Sequence, residues 1–302
     1  MKILVVGKQG MLAQELRESF SAAGIDVVGV GRPVMDLCNP DTVRNALLHQ
    51  TPSFVINAAG YTDVDQAESN PDVAFSVNRD GVQTLTKESH RLDIPLVHVS
   101  TDYVFDGKSR RPYREDDPVS PLGVYGRSKW EGEECVRHHQ PKHIILRTAW
   151  LYSVWGRNFL KTVLRKAMNG EELRIVQDQT GSPTWARDLA SAIVIVTKAI
   201  LDGHHEPWGT YHLCGGGHTT WYGFAKAAVE QAKQVSSFSN KPIVPIMSDD
   251  YPAVVKRPAY SVLDSSKIQR VFGIQALPWE DRVHYCIKEL MACPDLLRVP
   301  SS

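Results

Sequence analysis

The chain has 302 residues, 42% of them hydrophobic and 23% charged, a composition that suits one large globular domain or two closely joined ones. Lys+Arg and Asp+Glu both number 34, so the formal net charge is zero and no overall positive field favours nucleic acid or an anionic membrane. Five scattered cysteines without a C-x-x-C pair argue against a zinc site or a disulfide framework, and the short apolar run of the opening MKILVVGKQG argues against a signal peptide, so a cytoplasmic protein with reduced thiols and no membrane span is expected.

In chain order, short apolar runs at 3–6, 27–30, 54–57 and 96–100 read as buried parallel strands, separated by helical patterns at about 12–23, 40–48 and 72–92. A helix that includes 128–138 precedes a fifth strand at 143–147, and another strand is expected at 210–213. Alternating strands and helices predict an α/β fold, a Rossmann-type doubly wound parallel sheet. After about residue 150 the pattern changes: 158–168 and 221–235 read as amphipathic helices, with glycine- and proline-bearing loops at 178–184, 215–217 and 252–258 and a final helix at 278–291.

The first strand runs into Gly7-x-x-Gly10-x-x-Ala13. Glycine permits a tight turn and close approach to a pyrophosphate, and the following helix N-terminus offers free N–H groups and a positive dipole end. A plain strand–helix turn would use the same glycines; the position directly after an N-terminal strand favours dinucleotide binding. The second strand ends Gly31-Arg32, where an NAD-binding fold expects a carboxylate for the ribose 2′-hydroxyl. Arginine suits the 2′-phosphate of NADPH instead, against the plainer reading of a solvated surface arginine. Asp36 could contact the adenine amine or cap the helix begun near residue 40.

The third strand runs into Asn57-Ala58-Ala59-Gly60-Tyr61-Thr62, small residues that let a cofactor lie against backbone at the carboxyl edge of the sheet. The fourth ends Ser100-Thr101-Asp102, where hydroxyls can hold a carbonyl oxygen and Asp102 can orient a neighbour or accept from substrate hydroxyls; a turn or N-cap role is the alternative. Tyr125-Gly-Arg-Ser-Lys129 places a phenol and an ammonium on one helix face at i, i+4. An ammonium there would stabilise phenolate and make the tyrosine a usable acid near neutrality. Such a pair is common on surface helices, and its position shortly after the Ser100-Thr101 edge is what gives it weight. Trp150, at the end of the fifth strand, could stack on a base or sugar ring or belong to the core. The pairs His138-His139 and His204-His205 read as solvated or core histidines. These motifs divide the chain into a dinucleotide-binding domain over 1–150 and a smaller, mainly substrate-binding C-terminal region over 151–302 that returns some segments to the main sheet.

With these motifs assembled, the chain resembles the extended short-chain dehydrogenase/reductases and, within them, the dTDP-4-dehydrorhamnose reductase family. The resemblance runs from Met1 to about Met291 and rests on the glycine turn, NAAGYTDVDQAE, VSTDYVFDG, SPLGVYGRSKWEGE, ILRTAWLY, QDQTGSPTWARDLA, YHLCGGG and RPAYSVLD. It implies a cytoplasmic enzyme that uses NADPH, with NADH also accepted, to reduce the C4 ketone of a dTDP-sugar. Carried over by position, Thr101, Tyr125 and Lys129 are the catalytic residues. Gly10, Met11, Leu12, Asp36, Leu37, Gly60, Tyr61 and Thr62, with Tyr125 and Lys129, match the cofactor contacts, to which the reading of the residues themselves adds Gly7, Ala59 and Arg32, the last standing where some family members carry an acid. Thr101, Asp102, Trp150 and Arg257 are the substrate contacts. Magnesium-bridged dimers occur in the family, so the resemblance also admits Mg2+ and a homodimer; Glu15 and Glu280 could serve as ligands, but Arg187 stands where a third acid would help. Two other readings stay open. One is another nucleotide-sugar ketoreductase or epimerase; the other is a non-catalytic regulatory subunit of the kind that partners methionine adenosyltransferase.

Overall fold

The computed structural model describes residues 1–203 and 207–297; His204 and His205 lie outside the described residues. In chain order the first elements are β1 (Lys2–Val6), α1 (Met11–Ala22), β2 (Asp26–Val30), α2 (Pro40–Gln50), β3 (Phe54–Asn57), α3 (Val64–Ser69), α4 (Pro71–Phe75), α5 (Gly81–Arg91), β4 (Leu96–Thr101), α6 (Val124–His139) and β5 (His143–Thr148). The helical pattern expected over 72–92 is present but interrupted, with a π-helical turn at Ser76–Asp80 between α4 and α5. Beyond it come β6 (Leu151–Tyr152), α7 (Phe159–Met168), β7 (Leu173–Val176), β8 (Thr180–Gly181), β9 (Thr184–Trp185), α8 (Ala186–Leu201), β10 (Gly209–His212), β11 (Thr219–Thr220), α9 (Trp221–Val235), β12 (Ile243–Ile246), α10 (Ser266–Phe272) and α11 (Trp279–Ala292).

The main sheet has the order β2-β1-β3-β4-β5-β10, and every pairing in it is parallel. The chain leaves β1 toward one edge and returns on its other side as β3, so the direction of winding reverses between them. A crevice opens outside the carboxyl ends of strands at such a switch point. Because side chains alternate along a strand, each strand feeds both faces. Ile3, Val5, Phe54, Ile56, Ile144 and Leu146 pack with α1, α8 and α10 on one side, and Leu4, Val6, Val55 and Ile145 pack with α2, α5 and α6 on the other. Full burial of such a side chain contributes about 1.5–3 kcal/mol, so both faces must be covered for the strands to persist.

Past residue 150 the chain is divided between two places. α8, β10 and α10 join the main sheet, while α7, α9 and α11 build a separate core around Tyr152, Leu160, Phe224 and Trp279. Sequence reading placed loops and no helix between the helices at 158–168 and 221–235, and that is corrected by α8. Its run Ile193-Val194-Ile195-Val196 is rich in β-branched residues, which weakens the local helical signal; packing against α1 overrides that propensity.

Candidate active site

The first half of the site is made of backbone. Gly7 has φ of +110°, and a Cβ there would stand 3.3 Å from both the Ala58 carbonyl carbon and the Ala59 nitrogen. The turn after β1 can therefore lie directly on the 57–60 segment only as glycine. Gly10 caps α1 in an extended conformation, with no side-chain cap and no acid in the first helical turn. A Cβ on Gly10 would meet nothing within 4 Å, so the turn faces open space. The helices α2, α7 and α9 are closed by the side chains of Asn39, Asn158 and Thr220, while α6, α8 and α11, like α1, have no side-chain cap, so it is the open approach at Gly10 that distinguishes α1. Uncapped N–H groups at Met11 and Leu12 and an unobstructed approach are what a dinucleotide pyrophosphate requires, so the residues present fit one.

Arg32, Asp36 and Leu37 follow β2 beside this turn. Arg32 is exposed and has no hydrogen bond or ion pair among the described residues. The Asp36 carboxylate accepts from the Cys38 N–H at 3.0 Å, a local turn that leaves its second oxygen unengaged. Leu37 is buried where Gly81 of α5 approaches so closely that a Cβ would lie 2.7 Å from the Leu37 Cβ.

The second half is side-chain chemistry at the carboxyl end of β4. Thr101 is buried; its hydroxyl donates to Asp102 Oδ1 at 3.1 Å and accepts from the Tyr103 N–H at 3.2 Å. Tyr125 and Lys129 lie one turn apart on α6, as their spacing requires. The Lys129 ammonium is buried and donates to the Val99 carbonyl at 2.7 Å, and burial lowers it to about 8 while Glu133 opposes that shift. Burial pushes the Tyr125 phenol up to about 12, against a hydrogen bond with Thr101. The lowering of Tyr125 by Lys129 that the spacing suggests is not found: desolvation dominates the phenol, and the ammonium is turned to the strand carbonyl. Gly60 joins the two halves, since a Cβ on it would stand 3.9 Å from Lys129 Nζ and 3.2 Å from Asn78 Oδ1.

Three residues were missed in sequence. Asn78, in the π-helical turn, is fully buried. It accepts from the Tyr61 N–H at 2.8 Å and donates to the Tyr61 carbonyl and to the Ser128 hydroxyl, both at 3.0 Å, pinning the 60–62 backbone to α6. Glu133 continues the Tyr125, Lys129 ladder by another four residues, a periodicity that was open to reading. Ser261 carries no local signal; its backbone N–H bonds the Thr180 carbonyl at 2.8 Å, which brings its hydroxyl beside Asp102.

Trp150, at φ of +47°, stacks on Trp221 with ring centroids 3.5 Å apart and planes 7° from parallel, and it packs against Gly181. Its ring is thus already engaged with the C-terminal core, although partly exposed. Arg257 donates to Asp65 Oδ2 at 2.8 Å, while its Nε is buried without a partner. Magnesium does not fit. Glu15 is buried with one oxygen accepting from Ser153 Oγ at 2.7 Å and the other from Arg187 Nε at 3.0 Å, and Arg187 also grips Glu289. The guanidinium already supplies the positive charge between the two acids. Glu280 lies in the first turn of α11, and no group of three or more potential metal ligands occurs among the described residues.

No helix among the described residues is long and apolar enough to cross a membrane. The RmlD substrate binding domain family model matches residues 1–292. A dTDP-4-dehydrorhamnose reductase of Sinorhizobium fredii is 39% identical over 292 residues, covering 96% of this chain and 98% of that protein. A crystal structure of a dTDP-4-dehydrorhamnose reductase from Clostridium acetobutylicum superposes with a TM-score of 0.88 at 33% identity, covering 96% of this chain and 99% of that one. One from Bacillus anthracis, solved in complex with NADP, gives 0.87 at 32% identity and covers 95% of this chain and 99% of that one. With a family match over nearly its whole length and relatives of this identity and coverage, the chain belongs to the RmlD family of dTDP-4-dehydrorhamnose reductases.

Proposed function

We propose that this chain reduces the C4 ketone of dTDP-4-dehydro-L-rhamnose to dTDP-L-rhamnose in the cytoplasm, with NADPH as the preferred reductant. The observation that carries the reading is the meeting of Thr101, Tyr125 and Lys129 at the sheet edge beside an uncapped helix N-terminus. The curated relatives of that name and the NADP-bound neighbour support it. The bound nicotinamide supplies the hydride. Gly7, Gly10, Met11 and Leu12 hold the pyrophosphate, Asp36 and Leu37 the adenine side, Arg32 the 2′-phosphate, and Ala59 to Thr62 the inner ribose by backbone contact. Tyr125, still protonated at neutral pH because burial raises it, donates its proton to the oxygen of the reacting carbonyl. Thr101 orients that oxygen by hydrogen bonding, and Lys129 holds the ribose. We assign 151–302 as mainly the substrate-binding region, with Trp150 as a wall of the sugar site and Arg257 on the nucleotide phosphates. Loss of NADPH absorbance with a panel of dTDP-4-keto sugars tests the reading. Turnover of the L-rhamnose precursor is expected; no turnover of any member would replace it with the non-catalytic binding reading, and protein isolated with tightly held NAD that is recycled would replace it with the epimerase reading.

A further inference from the structure

Among the described residues Asp102 is a buried acid beside the reacting groups that has no ion-pair partner and that the mechanism above leaves without a chemical step. It is 2% exposed, Oδ1 accepts the Thr101 hydroxyl at 3.1 Å, and Oδ2 is buried with no hydrogen-bond partner. Its surroundings are the hydroxyls of Thr101 and Ser261, the phenols of Tyr103 and Tyr125, and the buried Cys214 thiol. No Lys, Arg or His forms an ion pair with it among the described residues. A buried carboxylate without a cation favours its protonated form. Thr101 lies between this acid and the phenol, in hydrogen-bond contact with both.

We propose that Asp102 is the proton store that recharges Tyr125 through the Thr101 hydroxyl. This rests on the ketone-reductase reading. When the sugar oxygen takes the Tyr125 proton, the phenol O–H breaks and the sugar O–H forms. With Asp102 protonated, its carboxyl donates to the Thr101 oxygen across the same 3.1 Å contact and frees the Thr101 proton to face the phenol; the phenolate then takes the Thr101 proton, and Thr101 takes the proton of the Asp102 carboxyl, so that one O–H bond forms for each that breaks. Asp102 ends as carboxylate and regains a proton from solvent water between turnovers. Burial, opposed by hydrogen bonds from Ser261 and Thr101, places this carboxyl at about 6, where it exchanges protons at working pH.

The test is kcat for ketone reduction under multiple turnover from pH 5 to 8.5, with saturating NADPH and sugar, for the wild type, Asp102→Asn and Ser261→Ala. The wild-type rate should fall above the Asp102 pKa. Asp102→Asn should lack that limb and lose roughly 10²-fold at low pH, the low end for a positioned acid. Ser261→Ala removes a donor to the carboxylate and should move the limb upward in pH. A limb retained in Asp102→Asn would overturn the relay, as would a raised KM with an unchanged profile, which would leave Asp102 a substrate-hydroxyl contact only. If Asp102→Asn fails to fold, the shift in Ser261→Ala decides alone, and an unmoved limb there also overturns the relay. No turnover by the wild type would instead sink the reductase reading itself.

Discussion

Glu133 and Asp102 are both buried acids close to the same reacting groups, and they are treated in opposite ways. Glu133 accepts from Arg147 at 2.9 Å on one oxygen and 2.7 Å on the other, and from Arg137 at 2.7 Å. Burial alone would raise it, but the guanidinium of Arg147 and then that of Arg137 hold it below its ordinary value. Asp102 has no guanidinium, one engaged oxygen and one bare oxygen, and is pushed up to about 6 by burial. A carboxylate whose lone pairs are all engaged is frame: it fixes α6 to β5 and does not titrate near neutrality. One left short of partners can change its proton count. Glu15 likewise has both oxygens engaged, one by Arg187 and one by Ser153.

The comparison can be broken at four places. The largest effect is expected at Tyr125, on the chemically open side. Tyr125→Phe should lower kcat by roughly 10²–10⁴ with little change in NADPH affinity, because only the acid is removed. Steady-state kinetics with direct cofactor titration would show it, and near-normal turnover would take the acid role from Tyr125. On the closed side, Arg147→Met leaves the buried Glu133 with Arg137 alone. Breaking one partner of a buried pair costs about 3–5 kcal/mol, so the denaturant midpoint should fall steeply. An unchanged midpoint would mean Arg137 alone compensates Glu133.

Asp102→Asn separates the two kinds of acid by stability. The carboxyl of Asp102 sits near 6 in the folded chain against an ordinary 3.8. Its penalty is therefore absent below the lower value, grows between the two as pH rises, and is fully present above the higher. At about 1.36 kcal/mol per pH unit this reaches up to about 3 kcal/mol. Thermal melts should show the variant more stable than the wild type at pH 8 and equal to it near pH 3; a variant less stable at pH 8 would show the charge to be compensated after all. The smallest effect is expected at Arg32, an exposed charge with no partner. Arg32→Ala should weaken NADPH alone, by about tenfold, since one charge-assisted bond of 1.5–3 kcal/mol is reduced by solvent and salt. Comparing kcat/KM for NADPH and NADH at one salt concentration checks it, and equal losses with both cofactors would return Arg32 to the solvated surface.

Much of the frame was legible. The inner strands of the main sheet were readable because parallel strands covered on both faces are short apolar runs, such as ILVV and FVIN, whereas the edge strand β10 carries GTYH. The glycine turn and the Tyr125, Lys129 spacing were readable because local backbone geometry fixes what those residues can do. α8 was not, because its β-branched run points one way and its packing on α1 the other. Trp150 could be placed at the end of β5 but not assigned a neighbour, since Trp221 lies 71 residues on and reaches it only through the C-terminal core.

The sequence by itself determined a doubly wound sheet, a backbone cradle at its switch point, and a phenol and an ammonium on one helix face. Those are consequences of periodicity and of local spacing, both written along the chain. Only the tertiary structure decided the electrostatics. It turned Lys129 to the Val99 carbonyl, placed Arg187 between Glu15 and Glu289, closed Glu133 with Arg147, and brought Ser261 to an Asp102 that no cation reaches. Proton affinity depends on burial and on which charges stand within a few ångströms, and residues far apart in sequence supply both.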